Sequence, residues 1–379
     1  MTISELSSKY QFDKEQFDRV DANEQLTKQS LVIGKPTNYI VEIIKRFFKN
    51  PAAGVFSVLL IIIVLLSIIA PLVSPYRAAQ PLGIDDIFFN LPPRIFGTNP
   101  TKDSVVPRDL LFIYDGTIVS ETDVGSNNVL IKFHPYMLEE LKNLYPILGT
   151  NQGGEDVWTN LWQAMATSLQ SAMIVAVFAT LIGVVYGAIS GSFAGKWVDT
   201  VMMRIVEIIG GLPTIILIII LAQIFVRNSS MSGGNLSLGA INGALIALYW
   251  TGPATVTRIY IVKSKDAEYV QAARTLGASQ WRIIFYHLIP NISGRLAVIF
   301  VNFIPVAIFV DAGLVFLGLK SSQDITLGTI LSSTYQNVTP DLLHISLPPI
   351  VVFSLFTISL QIIANAINDA VDPRIIGRK

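Results

Sequence analysis

Six stretches of this chain run for nineteen residues or more with almost no charged side chain, a pattern that suits a bilayer far better than water. Lys49 to Arg77 encloses 27 uncharged residues, Asp156 to Lys196 encloses 39, and Glu207 to Arg227 encloses 19. Arg227 to Arg258 encloses 30, Asp341 to Asp369 encloses 27, and the 24 between Arg295 and Lys320 are interrupted only by Asp311. A helix needs about 20 apolar residues to cross the hydrocarbon core of a bilayer. The stretches therefore predict six membrane spans, at about 53–73, 168–191, 206–226, 239–257, 294–317 and 347–368. Charged residues make up only 14% of the chain, against about 25% in an ordinary soluble domain.

The first apolar run starts near Ala52, too far in for a secretory signal, and reads as a retained anchor. Basic residues then orient the spans. One set of flanks carries fourteen, among them Lys45, Arg46 and Lys49, five from Arg258 to Arg282, and Lys379 at the end. The opposite short loops carry two, Arg227 and Lys320. Both termini are therefore expected in the cytoplasm. Residues 1–37 are polar and read as a disordered cytoplasmic tail. The stretch 38–51 mixes apolar and basic side chains and reads either as a helix lying in the membrane interface or as a plain extension of the first span, 52–75.

Between the first two spans lies a long external loop, 76–155, in which acidic residues outnumber basic ones. LLFIYDGTIVSE places two β-rich runs around Asp115-Gly116, a hairpin signal, and NVLIKF at 128–133 offers a third strand. A small external β subdomain is expected at about 104–134. The five-helix remainder, 156–379, contains one long loop on the basic side, 258–293.

That loop carries the function. From Glu268 to Leu288 the pattern is helical, with Val270, Ala273, Leu276 and Trp281 apolar among polar neighbours. Ala272, Ala273, Gly277 and Ala278 are small enough to admit a second backbone, Gly277 allows a turn between two short helices, and Pro290 is expected to end the helical stretch. This is the composition of a docking element. The chain has no phosphate-binding loop of the G-x-x-x-x-G-K-[ST] kind, no cysteine, and only three histidines, His134, His287 and His344, without metal-ligand spacing. Any ATP-driven work would use a nucleotide site on another chain.

Within the spans, Asp311 is an acid at membrane depth and a candidate for the translocation path, with Asn302 and Phe303 nearby on the same span. Glu207 has Arg204 one turn away and reads as half of an ion pair. Pro213 and Pro305 are expected to kink their spans. A stand-alone ion-coupled carrier would need charged pairs deep in the spans, and an intramembrane hydrolase would need a nucleophile and base there; neither set is evident.

Q-A-A-x-x-x-G at 271–277, followed at the right distance by Pro290, resembles the "EAA" loop of ABC importer permeases, with Gln271 where glutamate often stands. The resemblance extends over roughly 45–379 and is nearest to the C-type permease subunit of oligopeptide and dipeptide importers. LGTNQGGEDV at 148–157, MRIVEIIGGLP at 203–213, FLGL at 316–319, LGTIL at 327–331 and NDAVDPR at 368–374 resemble that family's segments, with Glu155 in place of a usual arginine. The insertion at 76–148 is larger than the family leads one to expect and lies outside the resemblance. What the resemblance implies is an all-α membrane protein with six transmembrane helices of the type I ABC importer permease fold, plus the small β-containing insertion. It further implies a related B-type permease partner, two ATPase subunits that bind ATP and Mg, an external peptide-binding protein, and a bacterial cytoplasmic membrane setting. It implies no catalytic residue, cofactor, metal or nucleic-acid site in this chain. Glu268, Gln271, Ala272, Ala273, Leu276, Gly277, Trp281 and Pro290 would then serve ATPase coupling. Nickel or another small solute is the alternative cargo for the same architecture.

Overall fold

A computed structural model describes residues 39–95, 97–125, 127–227, 237–320, 324–336, 339 and 342–371. The polar tail at 1–37 and the final signature residues beyond 371 lie outside the described residues. The chain divides into two units, one ending at Arg46 and one running from Phe47. Helix α1 (Tyr39–Lys49) stops one residue before Asn50, whose side chain accepts from the Ala52 N–H at 3.1 Å and caps a new helix, α2 (Pro51–Val73). Pro51 sits in the first turn of α2, where its missing N–H costs nothing.

Among the described residues four helical stretches are long and apolar enough to cross a membrane: α2, α3 (Val157–Ser192), the stretch Gln280–Phe316 that ends in α9 (Ile289–Phe316), and, after the shorter α10 (Leu327–Gln336), α11 (Leu343–Val371). The helices α4 (Trp197–Gly210) and α5 (Thr214–Arg227) pass the same test only as a pair, bent by 97° at their junction, the geometry of a broken span or a re-entrant loop. The kink expected at Pro213 in the span read at 206–226 is therefore present and large: Gly210 and Gly211 place no side-chain limit on the turn, and Pro213 has no N–H to continue the ladder. The span read at 239–257 is two abutting helices, α6 (Leu238–Tyr249) and α7 (Thr251–Ser264), which meet at Trp250. Pro253 has no N–H for the Tyr249 carbonyl, so the ladder is interrupted there.

These helices converge on one core that includes Trp162, Met165, Ile218, Leu245, Leu314 and Phe356. Helices α3 and α7 come close together at glycines. A methyl group added at Gly183 would stand 2.4 Å from the Trp250 carbonyl oxygen, and one at Gly187 would stand 2.2 Å from that of Ala254. Glycine at four-residue spacing lets the two backbones touch, the small-residue packing that substitutes for hydrophobic drive inside a bilayer.

The insertion folds around its own core of Leu91, Val106, Ile131, Phe133, Tyr136 and Leu141. Its sheet has three antiparallel strands in the order β1-β3-β2: β1 (Lys102–Pro107), β2 (Ile118–Gly125) and β3 (Asn128–Phe133). The third strand stands where the sequence placed it, but the hairpin does not. Arg108–Tyr114 forms a 3₁₀ helix that buries Tyr114 edge-on against Phe133, and Gly116 at φ +74° merely turns the chain into β2. The strand-to-strand turn lies instead between Gly125 and Asn128, with Gly125 at φ +83° and Asn127 at φ +66°. Lys102 donates to the Phe89 carbonyl at 2.5 Å, and burial pulls its ammonium down to about 8, Asp86 opposing.

Candidate functional site

The loop between α7 and α9 begins with α8 (Glu268–Thr275), a two-turn helix with one buried anchor. Val270 is 0% exposed and rests on Ala188 of α3, Ile261 of α7, and Ile283, Ile284 and Leu288 beyond. Ala267 and Ala273 pack half-buried against the same cluster. The opposite side of α8 is free: Glu268, Gln271, Ala272 and Thr275 are exposed, and Leu276, just past its end, is 88% exposed.

Two hydrogen bonds close the helix. Gly277 N–H donates to the Arg274 carbonyl at 3.0 Å and Ala278 N–H to that of Ala273 at 3.0 Å. This double closure requires a left-handed residue, and Gly277 supplies it at φ +81°. Ser279 then starts the next helical stretch by accepting from Arg282 N–H at 3.4 Å, and Gln280 Nε2 donates to the Ser192 carbonyl at 3.0 Å, tying the loop to the end of α3. Trp281 and Phe285 stack at 5.9 Å on the outside.

Pro290 does not end this stretch, contrary to the expectation from sequence. Ile283–Leu288 is a π-helical turn that runs straight into α9, so Gln280–Phe316 is continuous. The wider π turn spares the carbonyl that a proline ring would strike in an α-helix and removes the need for its missing N–H. The loop is therefore fixed to α9 by unbroken helix at one end and to α7 by a short turn at the other.

Beneath it, three helices are locked together by one carboxylate. Asp199 on α4 is 4% exposed. Its Oδ1 accepts from Arg258 Nε of α7 at 2.7 Å and from Ser190 Oγ of α3 at 2.6 Å; its Oδ2 accepts from Arg258 Nη2 at 2.6 Å and from Gly195 N–H at 3.4 Å. A bidentate guanidinium–carboxylate pair fixes direction as well as distance. In the sequence Arg258 counts only as one of the orienting charges, and nothing near it in the chain points to a partner 59 residues away.

Most of the expected loop residues, Glu268, Gln271, Ala272, Leu276, Gly277, Trp281 and Pro290, are exposed, whereas Ala273 turns partly inward. The span residues are elsewhere. Asp311 is buried, with Oδ1 accepting from Lys320 Nζ at 2.6 Å and Oδ2 from Thr326 Oγ1 at 2.5 Å, so both oxygens are engaged within the protein. Asn302 and Phe303 are half-buried, Phe303 edge-on to Tyr249 at 5.7 Å. Glu207 pairs with Arg204 at 2.7 Å on the exposed side of α4.

Comparison with known proteins identifies the chain's family. Residues 183–377 match the family described as binding-protein-dependent transport system inner membrane component, and residues 38–93 match the N-terminal transmembrane domain of oligopeptide transport permease C. The oligopeptide transport system permease protein OppC of Mycoplasma pneumoniae is 45% identical over 377 residues, covering 97% of this chain and 98% of that one. The dipeptide transport system permease protein DppC of Bacillus subtilis is 33% identical over 236 residues, covering 60% and 68%. That of Lactococcus lactis is 29% identical over 360 residues, covering 93% and 94%. End-to-end coverage in the Mycoplasma protein leaves no room for a 76–148 insertion peculiar to this chain, which corrects its exclusion from the resemblance. The chain belongs to the binding-protein-dependent transport system inner membrane components, as a C-type permease of the oligopeptide-transport branch.

Proposed function

We propose that this chain is the C-type half of a permease pair that moves short peptides inward across the bacterial cytoplasmic membrane by alternating access, driven by two ATPase subunits that dock on residues 268–288. Family membership carries a membrane setting, ATPase and substrate-binding partners, and no catalysis in this chain. Peptide cargo is supported by the relatives, which are named for oligopeptide and dipeptide transport. A related B-type permease would complete the pair, an external peptide-binding protein would deliver cargo, and ATP and Mg would sit on the ATPases. Both termini, on this reading, are cytoplasmic, following the basic flanks.

The observation that carries the proposal is the two-sided character of α8. Val270 is fully buried on one side while Leu276 offers a large apolar side chain almost entirely to solvent on the other. Each end of the loop is fixed to a membrane helix, so a push on the exposed side passes to α7 and α9 together, as rigid-body rocking requires. Leu276→Asp would place a carboxylate where an apolar contact is proposed, without touching the fold. Membrane level and pairing with the B-type subunit should be normal, and the ATPases should fail to co-purify. Normal ATPase recovery would remove this loop from the docking site.

A further inference from the structure

At the end of α2 remote from its basic flank, a cavity of about 320 Å³ lies between that helix, the start of the insertion and the start of α3. Ile69 and Val73 of α2 form an apolar wall, Tyr76, Tyr145 and Trp158 form a rim, and Asp156 stands among them. Asp156 is 2% exposed. Its Oδ2 caps α3, accepting from Thr159 N–H at 2.8 Å and from Thr159 Oγ1 at 2.5 Å. Its Oδ1 has no hydrogen-bond partner among the described residues.

Most of the surrounding polar groups are engaged with one another, and Arg94 Nε, buried and without a hydrogen-bond partner among the described residues, serves none of them. Ser74 Oγ meets Thr159 Oγ1 at 2.6 Å, Asn160 Oδ1 accepts from Ala79 N–H at 2.9 Å, and Tyr76 Oη accepts from Tyr145 N–H at 2.7 Å. Arg94 stacks over the Tyr145 ring at 4.2 Å but gives its Nη1 to the Lys142 and Leu144 carbonyls, each at 2.7 Å. A buried carboxylate oxygen is costly to leave unpaired, and it can only accept. Whatever completes this site must bring a donor, and a positive one suits the charge best.

The cavity wall says what carries that donor. Val73 is 75% exposed and α2 is the least buried of the long apolar helices among the described residues, a surface that suits acyl chains. Tyr and Trp rims mark the headgroup level of a bilayer. We propose that the cavity binds one phospholipid with an ammonium headgroup, its amine donating to Asp156 Oδ1 and its acyl chains lying along α2. The inference needs the membrane setting only and is independent of the cargo reading.

The test is native mass spectrometry of the assembled importer exchanged into nanodiscs of phosphatidylethanolamine or of phosphatidylglycerol. One phosphatidylethanolamine should survive release at least tenfold more often than phosphatidylglycerol. Asp156→Asn still caps α3 but weakens the acceptor, and Val73→Trp fills the cavity mouth without touching the cap; both should abolish the preference. If Asp156→Asn does not assemble, Val73→Trp decides alone. Equal retention of the two lipids by the wild type, retention unchanged by Val73→Trp, or recovery of a peptide in place of lipid would each overturn the proposal.

Discussion

Removing the Arg258 guanidinium should loosen the platform under the coupling loop, and the structure sets the size of the effect. Arg258→Ala would leave Asp199 Oδ2 with only the 3.4 Å contact from Gly195 N–H, while Oδ1 keeps the Ser190 hydroxyl. Stripping one partner from a buried ion pair costs about 3–5 kcal/mol, because a desolvated charge is left behind. The Asp199 side chain is 5% exposed but that of Arg258 is 29% exposed, so water screens part of the pair. The discounted cost is about 2–4 kcal/mol, roughly thirtyfold to several hundredfold in an unfolding equilibrium. The assay is reversible unfolding in mixed micelles through a double-mutant cycle of Asp199→Asn, Arg258→Gln and the double variant. A coupling energy of about 2–4 kcal/mol is expected, with the double variant more stable than either single one would suggest. Arg258→Lys keeps the charge but loses the two-pronged contact and should fall between. A coupling below about 0.5 kcal/mol would show that the pair is not what holds α3, α4 and α7 together.

Gly277→Ala tests the turn that presents Leu276: its Cβ would meet no neighbour, so the whole cost, about 1–2 kcal/mol, comes from the left-handed backbone. Amide exchange at 276–278 should quicken by roughly fivefold to thirtyfold, and unchanged exchange would refute the closure described for α8. Orientation can be read cleanly because the chain has no native cysteine. Asn127→Cys should react with an impermeant thiol reagent added outside intact cells and Ser264→Cys should not; labelling of Ser264→Cys would invert the topology and detach the loop from any cytoplasmic ATPase.

How far the sequence reveals this molecule depends on the range of the interactions. Apolar runs without charge locate α2, α3, α9 and α11, because each crossing needs about 20 apolar residues, although α3 runs for 36 residues and begins well before the run read at 168. Gly277 announces the end of α8, since a left-handed closure leaves little choice of residue. The hairpin expected at Asp115-Gly116 fails because LLFIY satisfies a 3₁₀ turn as well as a strand, and packing of Tyr114 on Phe133 decides between them. The bend at Gly210–Pro213 is foreshadowed by Pro213, but its size depends on what packs around it. Gly183, Gly187 and Gly191 carry a readable four-residue spacing that marks the α3–α7 contact, a signal that span length and charge alone overlook. The Asp199–Arg258 pair and the satisfied state of Asp311 are invisible in the sequence, because their partners come together only through the fold.

The most direct measurement of the central claim is peptide uptake into proteoliposomes that hold this chain with its permease and ATPase partners, supplied with peptide-loaded binding protein. Accumulation should require ATP on the vesicle face that carries the ATPases, should stop when the ATPases are omitted, and should fall to background with Leu276→Asp. Uptake that persists without ATPase subunits, or that runs at the normal rate with Leu276→Asp, would contradict it.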